Sequence, residues 1–351
     1  MIIGVPKERK IHEYRVPVTP ITVNVLVQRG HKVILEKGAG NGSGISDEHF
    51  KAAGAIIARD EEEVFTKSRL ILKVKEPLPE EFDLIHKDLI LFTFLHLAAN
   101  KELLGALIKS KSRAVAYETV QEEDGSLPIL IPMSRIAGLL SIQIGLHFLE
   151  KPNGGKGKLV RGTAGVKPGK VTVIGGGTVG YNAVVSALGN GAEVTVIDKS
   201  VKKLEFYYER FEGKVSTVPA YPELVGKEMS DSDLVIGAVL IPGAKAPKVI
   251  TKDMIKVMEP GSVLVDIAID QGGCSETSRP TTLESPVYQL DGVIHYCATN
   301  VPSLVSRTAT ESLSNSVLPY VLRLAESGID HDSALSKGIN VDNGKLLIDL
   351  G

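Results

Sequence analysis

The chain has 351 residues, which is more than one hydrophobic core usually organises and therefore predicts two domains. Apolar residues make up 43% of the sequence and charged residues 23%, with a formal net charge of -2, so neither a disordered or fibrous chain nor a nucleic-acid-binding protein is expected. The two cysteines, Cys274 and Cys297, are too few for a disulfide framework and lack the spacing of metal ligands. The first residues become charged at Lys7, and no later stretch is apolar enough to predict a membrane span. We therefore expect a soluble, cytoplasmic protein without a nucleic-acid or membrane partner.

Short β-rich segments alternate with helical patterns through the first third of the chain. The β-rich segments are KVILEK, RLILKVK, DLILFTFL and RAVAYETV, and the helical ones are SDEHFKAAGA and NKELLGALIKS. This alternation predicts a parallel sheet flanked by helices. A longer helix is predicted over MSRIAGLLSIQIGLHFLE, and it ends at the helix-breaking KPNGGKGK.

A second α/β series begins at residues 170–198, KVTVIGGGTVGYNAVVSALGNGAEVTVID, and continues with the strands SDLVIGAV, GSVLVDIAI and VIHYCATN. The following segment, RTATESLSNSVLPYVLRLAESG, predicts a helix that is interrupted or bent at Pro319. We expect this helix to pack back on the N-terminal half. The predicted fold class is α/β with two domains, of which one spans residues 129–307 and the other is discontinuous, with residues 1–128 and 308–351.

The glycine-rich segment GGGTVG, residues 175–180, follows the apolar strand VTVI and opens a helical pattern. In this setting glycines allow a tight turn, close approach of a pyrophosphate to the backbone and close packing of helix on strand. The N-terminus of the helix offers N–H groups and a positive dipole end to that anion. A second strand, EVTVI, ends at Asp198, where a carboxylate can bind ribose hydroxyls. Residues 129–307 are therefore predicted to form a Rossmann dinucleotide-binding domain.

The charge of Asp198 would repel a 2′-phosphate, so the sequence favours NAD over NADP. Lys199, Lys202 and Lys203 follow closely and could soften that preference. Their alternative interpretation is a solvated start of the next helix. A second glycine-rich stretch, EKGAGNGSGISDEHF, also follows a strand, but its helix starts later, and we predict a turn with a helix cap at Ser46 or Asp47.

Four ionisable residues have two interpretations each when they are considered singly. Lys73 and Lys75 alternate with apolar residues, so they face either solvent or a bound anion. His96 ends the apolar run LILFTFLH and is either a core histidine or an acid-base group. Arg15, within several charges, would by itself be a surface residue.

Asp266 and Asp270 bracket the end of the apolar strand segment VLVDIAID, and Asp270 precedes a Gly-Gly turn. The carboxyl ends of strands in open α/β sheets are where ligands bind. Both acids are therefore candidate ligand-binding residues.

Several long motifs follow one another along the chain. They are the opening GVPKE with Arg15, then KVKEP, VDIAIDQGGCSETSRPTT, HYCATNVPS and RTATESLSNSVLPYVLRLA. In this order they resemble alanine dehydrogenases, from residue 1 to about residue 345. The NAD-binding portions of proton-translocating nicotinamide nucleotide transhydrogenases share most of the pattern, and lysine-forming saccharopine dehydrogenases resemble it more distantly.

The resemblance implies NAD-dependent oxidative deamination of L-alanine to pyruvate and ammonia, the reverse amination, and a homohexamer. It also implies that residues 1–128 and 308–351 form a Rossmann-like substrate domain and that residues 129–307 bind NAD. Carried onto matching positions, Arg15 and Lys75 bind the substrate carboxylate and carbonyl, and His96 and Asp270 supply acid-base function. Which of His96 and Asp270 moves each proton stays open. The residues implied to bind NAD are Met133, Ser134, Gly175, Gly177, Thr178, Val179, Gly180, Asp198, Lys203 and Asn300.

This sequence departs from the family pattern near the cofactor residues. VPSLVSR stands where the family commonly has Met-Pro-Gly-Ala-Val-Pro-Arg, which makes Val301, Ser303 and Ser306 unusual. The stretch LVRGTAGVKPG also replaces one that is commonly rich in glycine. We expect these changes to alter contacts with the nicotinamide and the affinity for NAD, and to leave the reaction unchanged.

Two other functions are compatible with an NAD-binding fold. One is the NAD-binding subunit of a proton-translocating transhydrogenase, which would need a membrane partner. The other is a non-catalytic NAD sensor, which would bind NADH without turnover. The segment DQGGCSETSRPTT favours the dehydrogenase over the first, and the presence of Arg15, Lys75, His96 and Asp270 together favours it over the second.

Overall fold

The structure is a computed structural model, and it describes residues 1–239 and 245–350. Within these ranges the chain forms two compact units, which confirms the predicted two-domain α/β fold with one discontinuous domain. The first unit contains residues 1–133 and 302–350, and the second contains residues 134–239 and 245–301. The sequence predicts the corresponding domain boundaries after residues 128 and 307. The assignment of substrate to one unit and cofactor to the other stays a prediction.

The described residues form fifteen strands and eleven α-helices, numbered here along the chain. The strands are β1 (Ile2–Val5), β2 (Lys32–Glu36), β3 (Ile56–Ala58), β4 (Leu70–Leu72), β5 (Ile90–Thr93), β6 (Arg113–Ala116), β7 (Lys170–Ile174), β8 (Glu193–Asp198), β9 (Val215–Pro219), β10 (Leu234–Gly237), β11 (Val263–Asp266), β12 (Val287–Leu290), β13 (Val293–Tyr296), β14 (Ile339–Asp342) and β15 (Lys345–Leu346). The helices are α1 (Pro20–Gln28), α2 (Asp47–Ala52), α3 (Glu61–Lys67), α4 (Lys101–Ser110), α5 (Leu130–Phe148), α6 (Thr178–Gly189), α7 (Val201–Arg210), α8 (Pro222–Ser230), α9 (Lys252–Lys256), α10 (Ser306–Ser327) and α11 (Ser333–Gly338).

The first unit is built on a sheet that, in the part of the chain described, has eight strands in the order β15-β14-β6-β5-β4-β1-β2-β3. Strands β1 to β6 pair in parallel, and β14 and β15 extend the sheet antiparallel beyond β6. The order 3-2-1-4-5-6 of the parallel strands is that of a doubly wound fold. Leu70, Ile71 and Leu72 of β4 are all fully buried, because helices cover both faces of a parallel sheet.

The second unit has a similar doubly wound strand order and differs in having an antiparallel strand, β12, at the edge of its sheet. Its sheet, over the described residues, has seven strands in the order β12-β13-β11-β10-β7-β8-β9. All pair in parallel except β12, which is antiparallel to β13. Gly237 of β10 lies opposite both Ile174 of β7 and Asp266 of β11, so these three strands end at one edge.

Helix α10 belongs to the first unit, as the sequence predicts. The hydroxyl oxygens of Thr22 in α1 and Ser314 in α10 lie 2.8 Å apart. The helix continues through Pro319, so of the two predicted alternatives the interruption is excluded and the bend stays a prediction. Proline removes one backbone hydrogen bond, but Val317 and Val321 on either side are buried, and burial of such side chains offsets the loss.

Helix α5 is the single helix, among residues 1–239 and 245–350, that has the length and apolar composition of a membrane span. This corrects the expectation that no stretch is apolar enough. More than half of it, 56%, is buried inside the structure. A Cβ at Gly138 would lie 2.2 Å from the carbonyl oxygen of Val179, so α5 packs closely on α6. Such packing is typical of a core helix.

The glycine-rich stretch after β2 forms a turn that leads into the capped helix α2. Ser46 is the N-cap of α2, as predicted, and His49 completes a capping box with it. The Asp47 carboxylate accepts a hydrogen bond of 2.9 Å from the backbone N–H of Gly38, which ties the turn to the helix. These contacts confirm the prediction of a capped turn.

Candidate functional site

The predicted ligand-binding residues of the first unit lie at one edge of its sheet. Arg15 follows β1, Lys75 follows β4 and His96 follows β5, and these strands are adjacent and parallel. In an open α/β sheet ligands bind at the carboxyl ends of the strands where the strand order reverses, which here is between β1 and β4. The fold therefore brings three residues that are distant in sequence to one edge.

Arg15 is buried, with 3% of its surface exposed, so it is not the surface residue that it would be by itself. Its Nε lies 2.7 Å from Oε1 of Glu13, and its Nη2 lies 2.5 Å from Oε2 of the same carboxylate. Nη1 lies 3.2 Å from the sulfur of Met133. A guanidinium has five donors in a planar fork, so an arginine that a carboxylate holds along one edge can bind an anion along another.

Lys73 and Lys75 have different surroundings, although both are buried and neither is on a wet face. Lys73 Nζ lies 2.9 Å from Glu81 Oε1 and 3.3 Å from Glu8 Oε2. Burial would lower the pKa of Lys73, but these two carboxylates raise it above its usual value. Lys73 is therefore part of a buried structural ion network, which leaves Lys75 as the candidate ligand-binding lysine.

Glu8 is a buried carboxyl between the ends of β1 and β4. It accepts a hydrogen bond of 2.6 Å from the backbone N–H of Val74 and a longer one, of 3.4 Å, from that of Lys75. Burial raises the pKa of Glu8 to about 7, although the charge of Lys73 acts to lower it. This acid therefore changes charge near neutral pH, directly beside the backbone that carries Lys75.

We expect Glu8→Gln to flatten the pH dependence of stability. Because the folded pKa of Glu8, about 7, lies above its ordinary 4.5, its contribution to stability is fully present below pH 4.5 and is lost as pH rises through 7. The wild-type free energy of unfolding should fall relative to the variant by on the order of 1–3 kcal/mol between pH 5 and pH 8. Urea unfolding at each pH measures this. The exposed Glu62→Gln is the matched control, and a wild-type minus Glu8→Gln difference that is constant with pH would contradict the assignment.

His96 lies beyond the end of β5 and is not a core residue, since 26% of its side chain is exposed. Its backbone is in the left-handed region, with φ of 49°, which is uncommon for residues other than glycine and clusters at functional sites. Glu118 Oε1 accepts the His96 backbone N–H at 2.7 Å and lies 4.0 Å from Nδ1. The imidazole stacks on Phe94, with ring centroids 5.9 Å apart and planes within 8°. Glu118 thus holds the His96 backbone, and Phe94 packs against the imidazole ring.

A further carboxylate, Glu76, connects Lys75 and His96 electrostatically. Glu76 is buried, and Lys10 Nζ lies 2.6 Å from its Oε1. Burial would raise the pKa of Glu76, but the charges of Lys75, His96 and Lys10 lower it below its ordinary value. Lys75 and His96 therefore share one electrostatic environment.

In the second unit the glycine-rich turn lies between β7 and α6. Gly175 has φ of 107°, a conformation for which glycine is the default residue. A Cβ at Gly180 would lie 1.9 Å from the carbonyl oxygen of Gly175, so the helix packs directly on the turn. A Cβ at Gly177, the N-cap of α6, would meet no atom of residues 1–239 and 245–350 within 4 Å. These described residues therefore leave the space at the helix N-terminus open, and its N–H groups and dipole favour an anion there.

Asp198 is the last residue of β8, and it is buried beside the turn. Its Oδ2 accepts the backbone N–H of Gly176 at 2.7 Å, and its Oδ1 accepts that of Ser200 at 2.8 Å. Lys203 Nζ lies 3.5 Å from Oδ2, and about half of the Lys203 side chain is exposed. Each carboxylate oxygen has two acceptor sites, so Asp198 can bind further donors.

Asp266 and Asp270 have separate roles in one loop. The Asp266 carboxylate is buried and accepts the backbone N–H groups of Ala268 at 3.1 Å and of Cys274 at 2.8 Å, so it organises the loop internally. Asp270 is exposed, and its Oδ1 accepts the backbone N–H of Asn300 at 3.2 Å. Asn300 has φ of 64° and is buried. Asp266 is thus structural, and Asp270 remains the candidate for chemistry.

The remaining predicted residues lie at the starts of two helices. Met133 and Ser134 are in the first turns of α5, where Met133 is buried and Ser134 is half-buried. Thr178 and Val179 open α6, and the side chain of Val179 is buried. Val179 can therefore present only its backbone to a ligand at this turn.

Four acids of the first unit were not predicted as site residues: Glu8, Glu13, Glu76 and Glu118. Glu8, Glu13 and Glu118 accept hydrogen bonds from Lys75, Arg15 and His96, and Glu76 accepts one from Lys10. The available signal was their position, because each follows the end of one of the parallel strands β1, β4 and β6.

Two family models match this chain. The model described as alanine dehydrogenase/PNT, N-terminal domain, matches residues 4–137, and the model described as alanine dehydrogenase/PNT, C-terminal domain, matches residues 141–349. Together they cover almost the whole sequence.

Relatives of known name match over almost their full length. The alanine dehydrogenase of Halomonas elongata is 51% identical over 99% of this chain and 94% of its own length, and that of Methanococcus maripaludis is 50% identical with the same coverage. A solved L-alanine dehydrogenase has a TM-score of 0.94 and 45% identity over 99% of this chain and 97% of its own. A solved transhydrogenase from Sinorhizobium meliloti, with a TM-score of 0.84 and 24% identity over 99% of both chains, shares the fold. By these matches this chain belongs to the alanine dehydrogenase/PNT family.

Proposed function

We propose that this chain is an NAD-dependent alanine dehydrogenase, which oxidises L-alanine to pyruvate and ammonia and catalyses the reverse reductive amination. The proposal is supported by the positions of Lys75 and His96 just beyond the ends of β4 and β5, and of the buried Arg15 in the segment that follows β1. The guanidinium of Arg15 can bind a carboxylate, the ammonium of Lys75 can bind a carbonyl oxygen, and the imidazole of His96 can transfer protons. Oxidation of a small amino acid uses these three functions. The named relatives, at 50% and 51% identity over nearly their full lengths, support the same function.

The second unit is proposed to bind NAD. The open space before Gly177, the close packing at Gly180 and the uncapped N-terminus of α6 fit a pyrophosphate, and Asp198 fits the ribose hydroxyls. Met133, Ser134, Thr178, Val179, Lys203 and Asn300 complete the proposed set. Bound NAD would supply the hydride acceptor, which no side chain provides. The Asp198 charge disfavours a 2′-phosphate, and Lys203 beside it reduces that effect.

Arg15 and Lys75 are proposed to hold the substrate. Arg15 can donate paired hydrogen bonds to the carboxylate, and the ammonium of Lys75 favours the partial negative charge on the carbonyl oxygen of pyruvate. Both side chains are nearly fully buried, so their charges act in a medium of lower effective dielectric than water. Their joint effect is to fix the reacting carbon in one orientation, which is a large part of the rate enhancement in such reactions.

His96 is proposed as the main acid-base group. A proton must leave the substrate ammonium before hydride can leave Cα, and another must leave the water that attacks the iminium. An imidazole has an ordinary pKa near 6.5 and can serve both steps near neutral pH. The Glu118 carboxylate holds the His96 backbone and the Phe94 ring stacks on the imidazole, which supports a fixed position for the ring.

Asp270 is proposed to stabilise the positive charge on the substrate nitrogen. Its carboxylate is exposed at the end of a loop that the buried Asp266 organises, so it is both available and fixed. A carboxylate lowers the free energy of a nearby ammonium or iminium and can orient the attacking water. By resemblance we also propose a homohexamer and a cytoplasmic location.

The oxidative reaction tests this function. We expect L-alanine and NAD to give NADH, pyruvate and ammonium in equal amounts, with D-alanine inactive and NADP used much less efficiently than NAD. Asp198→Ala should reduce the preference for NAD over NADP, because it removes the repulsion of the 2′-phosphate. The exposed Asp253→Ala, far along the chain in α9, is the matched control. Absence of NADH formation with every amino acid tried would refute the proposal.

A further inference from the structure

A row of hydroxyl groups holds the segment that carries Arg15. The Oγ of Ser43 donates to the carbonyl oxygen of Tyr14 at 2.8 Å and lies 2.7 Å from the Oγ1 of Thr310. That Oγ1 in turn accepts the backbone N–H of Val16 at 3.0 Å. The backbone on both sides of Arg15 is therefore attached to α10 and to the turn after β2, through side chains with short, stiff stems.

Ser303 is a further hydroxyl residue that binds the backbone of this segment. Its Oγ donates to the carbonyl oxygen of His12 and accepts the backbone N–H of Tyr14 at 3.1 Å. The residue is buried, with 1% of its surface exposed. One hydroxyl therefore fixes the peptide groups on both sides of Glu13.

Glu13 in turn fixes the Arg15 side chain, through the 2.7 Å and 2.5 Å contacts along one edge of the guanidinium. The turn between Ser303 and Glu13 is held in an uncommon conformation, because His12 has φ of 61° and is not glycine. A backbone in this region persists only where its surroundings impose it. The hydroxyl of Ser303 binds the peptide groups on both sides of Glu13.

We propose that Ser303 is a positioning residue for Arg15, and that it thereby sets the affinity of the enzyme for the carboxylate of its substrate. This inference rests on the proposed function. It also changes the expected consequence of the departure at residues 301–306. The sequence indicated an effect on the nicotinamide and on NAD affinity. The contacts of Ser303, however, lie in the first unit, on the backbone of His12 and Tyr14 just before Arg15.

The test compares Ser303→Ala with wild type. At saturating NADH and ammonium, the KM for pyruvate should rise roughly tenfold, as expected for loss of about one net hydrogen bond, with kcat changed less than KM. The Kd for NADH, measured by fluorescence, should stay within about twofold. Ser316→Ala is the matched control, because its Oγ donates to the carbonyl oxygen of Ser312 within α10, outside residues 12–15, and it should leave both constants unchanged.

A cycle with Arg15→Lys separates positioning of the arginine from a general structural role. If Ser303 acts through the guanidinium fork, Ser303→Ala should raise the pyruvate KM much less in the Arg15→Lys background than in wild type. Ser303→Thr, which keeps the hydroxyl, should retain most of the wild-type affinity. An equal rise in both backgrounds would overturn the proposal.

The other outcomes are also decisive. An unchanged pyruvate KM in Ser303→Ala, or a weakened Kd for NADH with pyruvate unaffected, would overturn the role of Ser303 while leaving the proposed function intact. If Ser303→Ala does not fold, Ser303→Gly repeats the test with less steric change. Failure of both to fold would assign Ser303 to the fold alone and overturn the proposal. Wild-type protein that does not turn over pyruvate and ammonium would overturn both proposals.

Discussion

His96→Ala should abolish alanine dehydrogenase turnover and leave NADH binding nearly unchanged. A positioned acid-base group typically contributes about 10² to 10⁴ in rate, and His96 is assigned both proton transfers of the reaction, so a loss at the upper end of this range is expected. The residue lies in the first unit, whereas the glycine-rich turn and Asp198 lie in the second, which is why the Kd for NADH should change by less than about twofold. Steady-state kinetics and NADH fluorescence titration measure the two quantities.

The matched control is His86→Ala, which removes an exposed histidine from the same unit and should keep full activity. Added imidazole should restore part of the turnover to His96→Ala, because the space vacated by a partly exposed ring can admit it. Wild-type turnover in His96→Ala would show that the histidine is structural after all. Loss of activity together with a large fall in melting temperature would also indicate that His96 is structural.

Gly180→Ala should destroy cofactor binding. The added Cβ would lie 1.9 Å from the carbonyl oxygen of Gly175, and because that atom belongs to the backbone, the contact can be relieved only if the turn and α6 separate. The N–H groups that are proposed to hold the pyrophosphate would move with them. We expect the Kd for NADH to weaken by about 100-fold or more and the melting temperature to fall.

Gly189→Ala provides the control for this prediction. It makes the same change on the same helix, at an exposed position where a Cβ would meet no atom within 4 Å. Since alanine has a higher helix propensity than glycine, this variant should be as stable as wild type or slightly more stable, with normal NADH affinity. If Gly180→Ala bound NADH as tightly as Gly189→Ala does, the assignment of the turn to the dinucleotide would be wrong.

The two parallel sheets could be predicted because their signal is local. Residues 170–198 contain a strand, a glycine-rich turn, a helix and a second strand in sequence, and the structure has β7, α6 and β8 in these places. Buried parallel strands such as β4 and β5 also have a distinctive apolar composition. The antiparallel strands β12, β14 and β15 were not predicted. Strands β12 and β15 are largely exposed and lack a long apolar run, and β14, although buried, is placed by its pairing with β6, which is distant in sequence.

The partners of the ionisable residues in the first unit could not be predicted from the sequence. Lys73 and Lys75 have the same spacing from apolar neighbours, yet only the folded chain places Glu81 beside Lys73. His96 looked like the last residue of a buried strand, but the strand ends at Thr93, and the Glu118 carboxylate then holds the next turn of the chain. Such pairings join residues that are far apart in sequence, so no local pattern predicts them.

The burial of Arg15 likewise could not be predicted from the local sequence. Arg15, among several charges near the N-terminus, has the local composition of a solvated surface, and it is buried because Glu13 neutralises it. Burial of an ion pair costs solvation free energy that roughly cancels the attraction between the charges, so such a pair is weak evidence for stability. Its presence beside the row of hydroxyls is more simply explained by a requirement for one fixed guanidinium.

The most direct test of the central claim is oxidation of NADH by the purified protein with pyruvate and ammonium, with each substrate omitted in turn. The proposed function predicts loss of NADH absorbance only when pyruvate and ammonium are both present, with formation of L-alanine equal to the NADH consumed. NADH binding without turnover under any of these conditions would contradict it and would favour an NAD sensor or a transhydrogenase-like subunit.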